Sequence, residues 1–112
     1  MQNVDFSTLN NLRDVIYEDA VKHGLWETPF VPLSYKNVGS KKLNSDHILI
    51  GEIQEYVNAK TRKEYEDELA DIIIACFSSA GYLKINLEKA VKHKCKANSA
   101  RPYQHGKFEE VK

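Results

Sequence analysis

Two short stretches carry acids at a spacing that can do chemistry. "EIQE" holds Glu52 and Glu55, "ELAD" holds Glu68 and Asp71, and twelve residues separate the pairs. A separation of three on a helix puts both side chains on one face, about 60° apart. Two such helices packed antiparallel gather four carboxylates at the edge of a core. Like charges at that range cannot all stay ionised without a counter-charge, and a divalent cation supplies one. Four oxygen ligands favour Mg²⁺, with Mn²⁺ as its substitute, over zinc. A ferritin-like di-iron centre requires Glu-x-x-His, which the chain lacks. For Glu52 and Glu55 alone, solvation on an exposed helix face is the simpler account. Asp71 precedes Ile72, Ile73 and Ile74, and a carboxylate buried beside them must be paired or bind a metal. All four are therefore candidate metal ligands and catalytic acids.

Helices must position them. Phe6 to about His23 carries Leu9, Leu12, Ile16 and Ala20 at helical spacing, with Ser7 as N-cap and Gly24 as stop. Residues 24–40, with Pro29, Pro32, Asn37 and Gly39, read as a loop. A second helix is predicted from Asn44 or Ser45 to Ala59, with Leu49, Ile53, Tyr56 and Val57 on one side and the acids at the border of that arc. Thr61 caps a third from Arg62 to about Gly81, apolar on nearly every side and so expected deep in a core. Asn86 caps a fourth that ends near Asn98. No segment alternates with period two over strand length, and no repeat is visible, so the chain reads as one all-α domain over residues 1–112. Gly51, inside the second helix, implies close helix approach, room for a ligand beside Glu52, or a simple irregularity.

Net charge is zero, but its distribution is uneven. Residues 52–71 hold seven acids to three bases, and residues 84–112 hold eight bases to three acids. The acids suit a cation and the bases an anion, so the two blocks invite a shared site. Lys94 and Asn98, spaced i, i+4, fall on the face of Leu87, Ala90 and Val91, which should look inward. A lysine there either reaches an anion or snorkels to solvent. Lys89, Lys92 and Lys96 point elsewhere, as a solvated face would. Arg101, Tyr103, His105 and Lys107 follow in a tail, "ARPYQHGKFEEVK", without helical period. Such donors suit phosphate, although a tail of this composition is also an ordinary flexible terminus.

Length, 42% hydrophobic and 29% charged residues describe one globular domain rather than a disordered chain. The sequence contains neither a membrane-length apolar run nor a signal-peptide core, so a cytoplasmic protein is expected. A neutral chain makes a nucleic-acid partner the weaker expectation. Cys76 and Cys95 form no CxxC pair, and Cys76 reads as a reduced core residue.

The two acid pairs, "DELADIIIACFSSAGYLKINLEKAV", "HGLW" (23–26) and "KCKANSARPYQHGK" (94–107) together resemble the MazG-like nucleoside triphosphate pyrophosphohydrolases, within the all-α NTP pyrophosphatase superfamily. The likeness spans most of the chain. The resemblance implies a four-helix bundle completed by homodimer or homotetramer formation. It also implies Mg²⁺-dependent hydrolysis between the α and β phosphates, giving a nucleoside monophosphate and pyrophosphate, in a house-cleaning role. Glu52, Glu55, Glu68 and Asp71 match that family's metal ligands. Lys94, Asn98 and Arg101 match positions near the triphosphate and sugar, with Tyr103, His105 and Lys107 beyond them. Trp26 either stacks on the base or packs within the protein. The short link between the second and third helices, and Gln104 where a basic residue is common, depart from the pattern. Other substrates (dCTP, dUTP, phosphoribosyl-ATP) and a non-enzymatic module with a basic last helix are the alternatives.

Overall fold

The computed structural model describes residues 5–26 and 38–101, with no strand among them. Four helices follow in order: α1 Leu9–Lys22, α2 Val38–Asn58, α3 Arg62–Tyr82 and α4 Leu87–Ser99. None is long and apolar enough to cross a membrane.

Local chemistry fixes most of the ends. Thr61 and Glu64 form a capping box: the Thr61 hydroxyl accepts from the Glu64 N–H at 3.1 Å, and the Glu64 carboxylate accepts from the Thr61 N–H at 3.0 Å. The Lys60 N–H also donates to that carboxylate, at 2.8 Å. These backbone donors, Lys60 first, hold the Glu64 pKa below the usual glutamate value. Helix α1 closes with Gly24 at φ 82°, its N–H on Val21 O and that of Leu25 on Ala20 O, both at 3.0 Å. Helix α3 closes in the same motif without a glycine. Lys84 takes φ 57° while its N–H reaches Gly81 O at 3.2 Å and that of Ile85 reaches Ala80 O at 2.8 Å.

Gly81 therefore does not end α3; it serves packing. A Cβ there would overlap the Tyr17 side chain, so its absence lets α1 lie close on α3. Asn86 caps α4 by accepting from the Lys89 N–H at 3.1 Å. Asn10 of α1 accepts from the Leu87 N–H at 2.9 Å, and Arg13 donates to Ile85 O at 2.8 Å. The start of α4 is thus fastened to α1.

Several expectations need correction. The cap of α1 is Thr8, without a side-chain hydrogen bond, not Ser7, whose N–H turns back to Asp5 at 2.8 Å. Helix α2 begins at Val38, well before Asn44. Its first turns are held by tertiary contacts that local sequence does not announce: Lys41 donates to Tyr82 O at 3.3 Å and lies 4.8 Å from the centre of the Tyr82 ring. The predicted apolar arc of α2 points outward, with Ile53, Tyr56 and Val57 all exposed. The seam with α3 is polar instead, and Asn44, Ser45, Ser78 and Ser79 are buried in it. Helix α3 is not enclosed: Leu69, Ile73 and Ile74 are exposed, and so is Cys76, which is no core residue in this chain. Small residues along the seam allow the helices to approach without those larger side chains between them.

Candidate metal centre

Helices α2 and α3 run antiparallel, joined by the short link of residues 59–61. Glu52 lies on the half-buried stripe of α2, in line with Lys41, Ser45 and Ile48 at helical spacing. On α3 the matching stripe is Glu68, Ile72, Ala75, Ser79 and Tyr82. Glu55 and Asp71 each sit three residues on, about 60° to one side, and are exposed. One carboxylate oxygen from each of Glu52, Glu55, Glu68 and Asp71 lies within 4.8 Å of the others. The two pairs read from the sequence are one cluster in space.

Seven acids populate residues 52–71, and the structure divides them. Glu64 caps α3, while Glu66 and Asp67 pair with Arg62 and Lys63 at 3.2 and 2.8 Å. The remaining four are those of the cluster, and no ion pair among the described residues reaches them. The Oε2 atoms of Glu52 and Glu68 are shielded from solvent and have no hydrogen-bond partner among the described residues. Burial raises the pKa of Glu52, and the charges of Glu55 and Asp71 raise it further. Burial also raises Glu68, with Glu55, Asp71 and Glu52 adding to the effect. Covered oxygens with no donor and no cation beside them among the described residues, next to further carboxylates, are an environment a hard divalent ion would relieve. The donor set fits Mg²⁺ or Mn²⁺, and its ligands would be Glu52, Glu55, Glu68 and Asp71.

Burial is shared out differently from the sequence expectation. The sequence places Asp71 against the isoleucines; in the structure it is exposed, and Glu52 and Glu68 are the half-buried ones. The seam between the helices, rather than the isoleucine run, does the covering. A Cβ on Gly51 would meet nothing within 4 Å, so no close approach of the described residues requires that glycine.

The basic residues do not join the acids within the described chain. Helix α4 packs chiefly on α1, not on the α2–α3 pair. Leu87 and Val91 are half-buried, but Lys94 and Asn98, further along the same face, are exposed, as are Ala90 and Arg101. The inward-looking face thus covers only the first turns of α4. Tyr103, His105 and Lys107 lie outside the described residues. Trp26 stacks on Tyr82, with ring centres 3.9 Å apart and planes 9° from parallel, and its Nε1–H donates to the buried Ser78 hydroxyl at 3.0 Å. One face of the indole is therefore occupied by the protein itself. Sequence reading missed this polar seam of Lys41, Asn44, Ser78 and Tyr82. Its one signal is the Ser78–Ser79 pair inside an otherwise apolar run.

Comparison of the chain with protein-family models, with curated proteins and with solved structures found no match.

Proposed function

We propose that this protein is a Mg²⁺-dependent nucleoside triphosphate pyrophosphohydrolase, cutting between the α and β phosphates to release a nucleoside monophosphate and pyrophosphate. The observation that carries the reading is the cluster of Glu52, Glu55, Glu68 and Asp71, with two covered, unpartnered oxygens and no compensating cation among the described residues. The resemblance seen in the sequence supplies the substrate class. A triphosphate brings about four negative charges, which four carboxylates repel unless a cation stands between them. The bound cation would polarise the phosphoryl group and acidify the attacking water. A carboxylate among the four that is not fully engaged accepts the proton of that water. Lys94, Asn98 and Arg101 are assigned to the phosphates and sugar by the resemblance alone, since α4 packs on α1 among the described residues. The assembly is a homodimer or homotetramer, with a role in clearing the nucleotide pool.

The test is pyrophosphate release from a panel of ribo- and deoxynucleoside triphosphates, with Mg²⁺ and with excess chelator. Release with the ion and none with chelator is the expected result; full turnover in chelator would remove the metal reading. A second reading draws on α4, where Lys89, Lys92, His93 and Lys96 line one open groove. A basic face of this kind suits nucleic acid, and salt-sensitive DNA binding without metal-dependent turnover would select it.

A further inference from the structure

Cations on the first three helices mostly have an acid beside them. Arg13 pairs with Asp14 on α1, Lys42 with Asp46 on α2, and Arg62 and Lys63 with Glu66 and Asp67 on α3. Helix α4 is different. It carries Lys89, Lys92, Lys94 and Lys96 against one acid, Glu88, and none of these five forms an ion pair among the described residues. Taking Lys89 as reference and about 100° per residue, Lys92, His93 and Lys96 fall within about 60° of it. Leu87 and Val91, both half-buried, fall about 160° away to either side. Lys89, Lys92, His93 and Lys96 thus form one exposed strip on the face turned away from the protein. With Asn86 and Ala90 they line an open groove of about 600 Å³.

We propose that this strip docks an acidic helix of a partner protein, whose carboxylates, three or four residues apart over two turns, meet Lys89, Lys92 and Lys96. The residue types select that partner among anions. The strip has neither an arginine nor an aromatic ring, so it lacks the forked donors and stacking surfaces that hold nucleic acid. It has no large apolar side chain to sink into a lipid surface. What it does have is point charges at the pitch of a helix, about 4.5 Å along the axis from Lys89 to Lys92 and about 6 Å on to Lys96. Acids on one face of a second helix recur at the same pitch and meet them one to one. Between the charges, Ala90 and the lysine stems give an apolar floor on which a side chain of that helix rests. A second copy of this chain does not supply the acidic face. Its Asp46, Glu66 and Asp67 are already paired, and Glu52, Glu55, Glu68 and Asp71 belong to the carboxylate cluster. The inference does not depend on the enzymatic reading.

The test titrates the full chain, in low salt, into labelled probes read by fluorescence anisotropy. One probe is a helical peptide with glutamates three or four residues apart on a single face. A second has the same composition with its glutamates spread around the helix, and a third is a DNA duplex. Phosphatidylserine vesicles, read by co-sedimentation, are the fourth. Exposed ion pairs are individually weak, so the one-faced peptide should bind at roughly tens to hundreds of micromolar, and the spread peptide at least about fivefold more weakly. Lys89→Gln with Lys96→Gln, on a solvated face where folding is not at stake, should weaken binding about fivefold or more. Lys22→Gln, exposed at the end of α1, should not. Lys92→Glu should weaken binding of the one-faced peptide, and exchanging the opposing glutamate of the peptide for lysine should restore it. Equal binding of the two peptides, tighter binding of DNA or vesicles, or an affinity unmoved by Lys89→Gln with Lys96→Gln would overturn the proposal. So would the absence of binding by the one-faced peptide up to about millimolar concentration.

Discussion

Glu52 and Glu68 are carboxyls held above the usual value of 4.5 by burial and by their acidic neighbours. A carboxyl with a raised pKa in the folded state binds its proton more tightly there than in the unfolded chain. Its contribution to stability is thus complete below the unfolded value and is lost as pH rises through the folded one. Without divalent cation, the melting temperature should therefore rise as pH falls from 7 toward 5. Glu64 and Asp5, whose pKa values are lowered by hydrogen bonds, act in the opposite sense only at lower pH. The gain should vanish in Glu52→Gln with Glu68→Gln. Saturating Mg²⁺ should reverse the trend, since the ion takes the deprotonated ligands. At a hundredfold excess over its dissociation constant it adds about 2.7 kcal/mol, measured by calorimetry at pH 7. Asp71→Asn separates chemistry from folding. It removes one of the charges that raise Glu52 and Glu68, so the metal-free protein should melt no lower than wild type. Turnover should fall by about a hundredfold or more, beyond what losing an outer-sphere partner of a metal costs. Undiminished turnover would make this acid structural. Lys94→Met keeps the aliphatic stem, and because Lys94 is exposed its stability effect should be small. Loss of a charge-assisted phosphate contact, about 1.5–3 kcal/mol, lowers kcat/KM by about ten- to a hundredfold. An unchanged kcat/KM would place Lys94 on a solvated face.

At the scale of the helices, two positions near the C-terminal end of α3 respond to substitution in opposite directions. Gly81→Ala inserts a methyl into the Tyr17 side chain, and overpacking of this kind costs about 1–3 kcal/mol. Chemical denaturation should show a lower midpoint with unchanged slope. Lys84 sits in the left-handed region at φ 57°, a conformation that costs a residue with a Cβ about 1–2 kcal/mol. Lys84→Gly relieves that strain but frees the unfolded chain, so a net gain of about 0.5–1 kcal/mol is expected. Loss of stability would mean that Lys84 makes a contact worth more than its strain. Gly81 lies in the last turn of α3 and Lys84 in the link that delivers the start of α4 to Asn10 and Arg13, so these changes also bear on where α4 begins its run.

At the scale of the whole molecule, the proposed homodimer or homotetramer predicts a melting temperature that depends on protein concentration. Dissociation coupled to unfolding raises the midpoint with protein concentration by mass action. A tenfold increase should lift it by a few degrees, about 1.4 kcal/mol per decade in an association constant. A midpoint fixed over two decades would show that the single chain is self-sufficient, against the exposure of Ile53, Val57 and Ile73.

The sequence by itself determined the features that depend on near neighbours along the chain. The box of Thr61 and Glu64, the Asn86 cap, the Gly24 stop and the three-residue spacing of each acid pair are set within a turn or two, and residue types suffice to read them. The helical class followed from the same periodicity. Tertiary structure alone decided which side of each helix is covered. The arc of Ile53, Tyr56 and Val57 has the spacing of an inward face, yet polar Asn44, Ser45 and Ser78 take the seam because their small side chains let α2 and α3 close on one another. The early start of α2 depends on Lys41 meeting Tyr82, forty-one residues away. It was likewise packing that left Asp71 open, covered Glu52 and Glu68, and kept Lys94 and Asn98 apart from the acids. Periodicity identifies a stripe on a helix, but the depth of that stripe depends on how far the neighbouring helix extends along it.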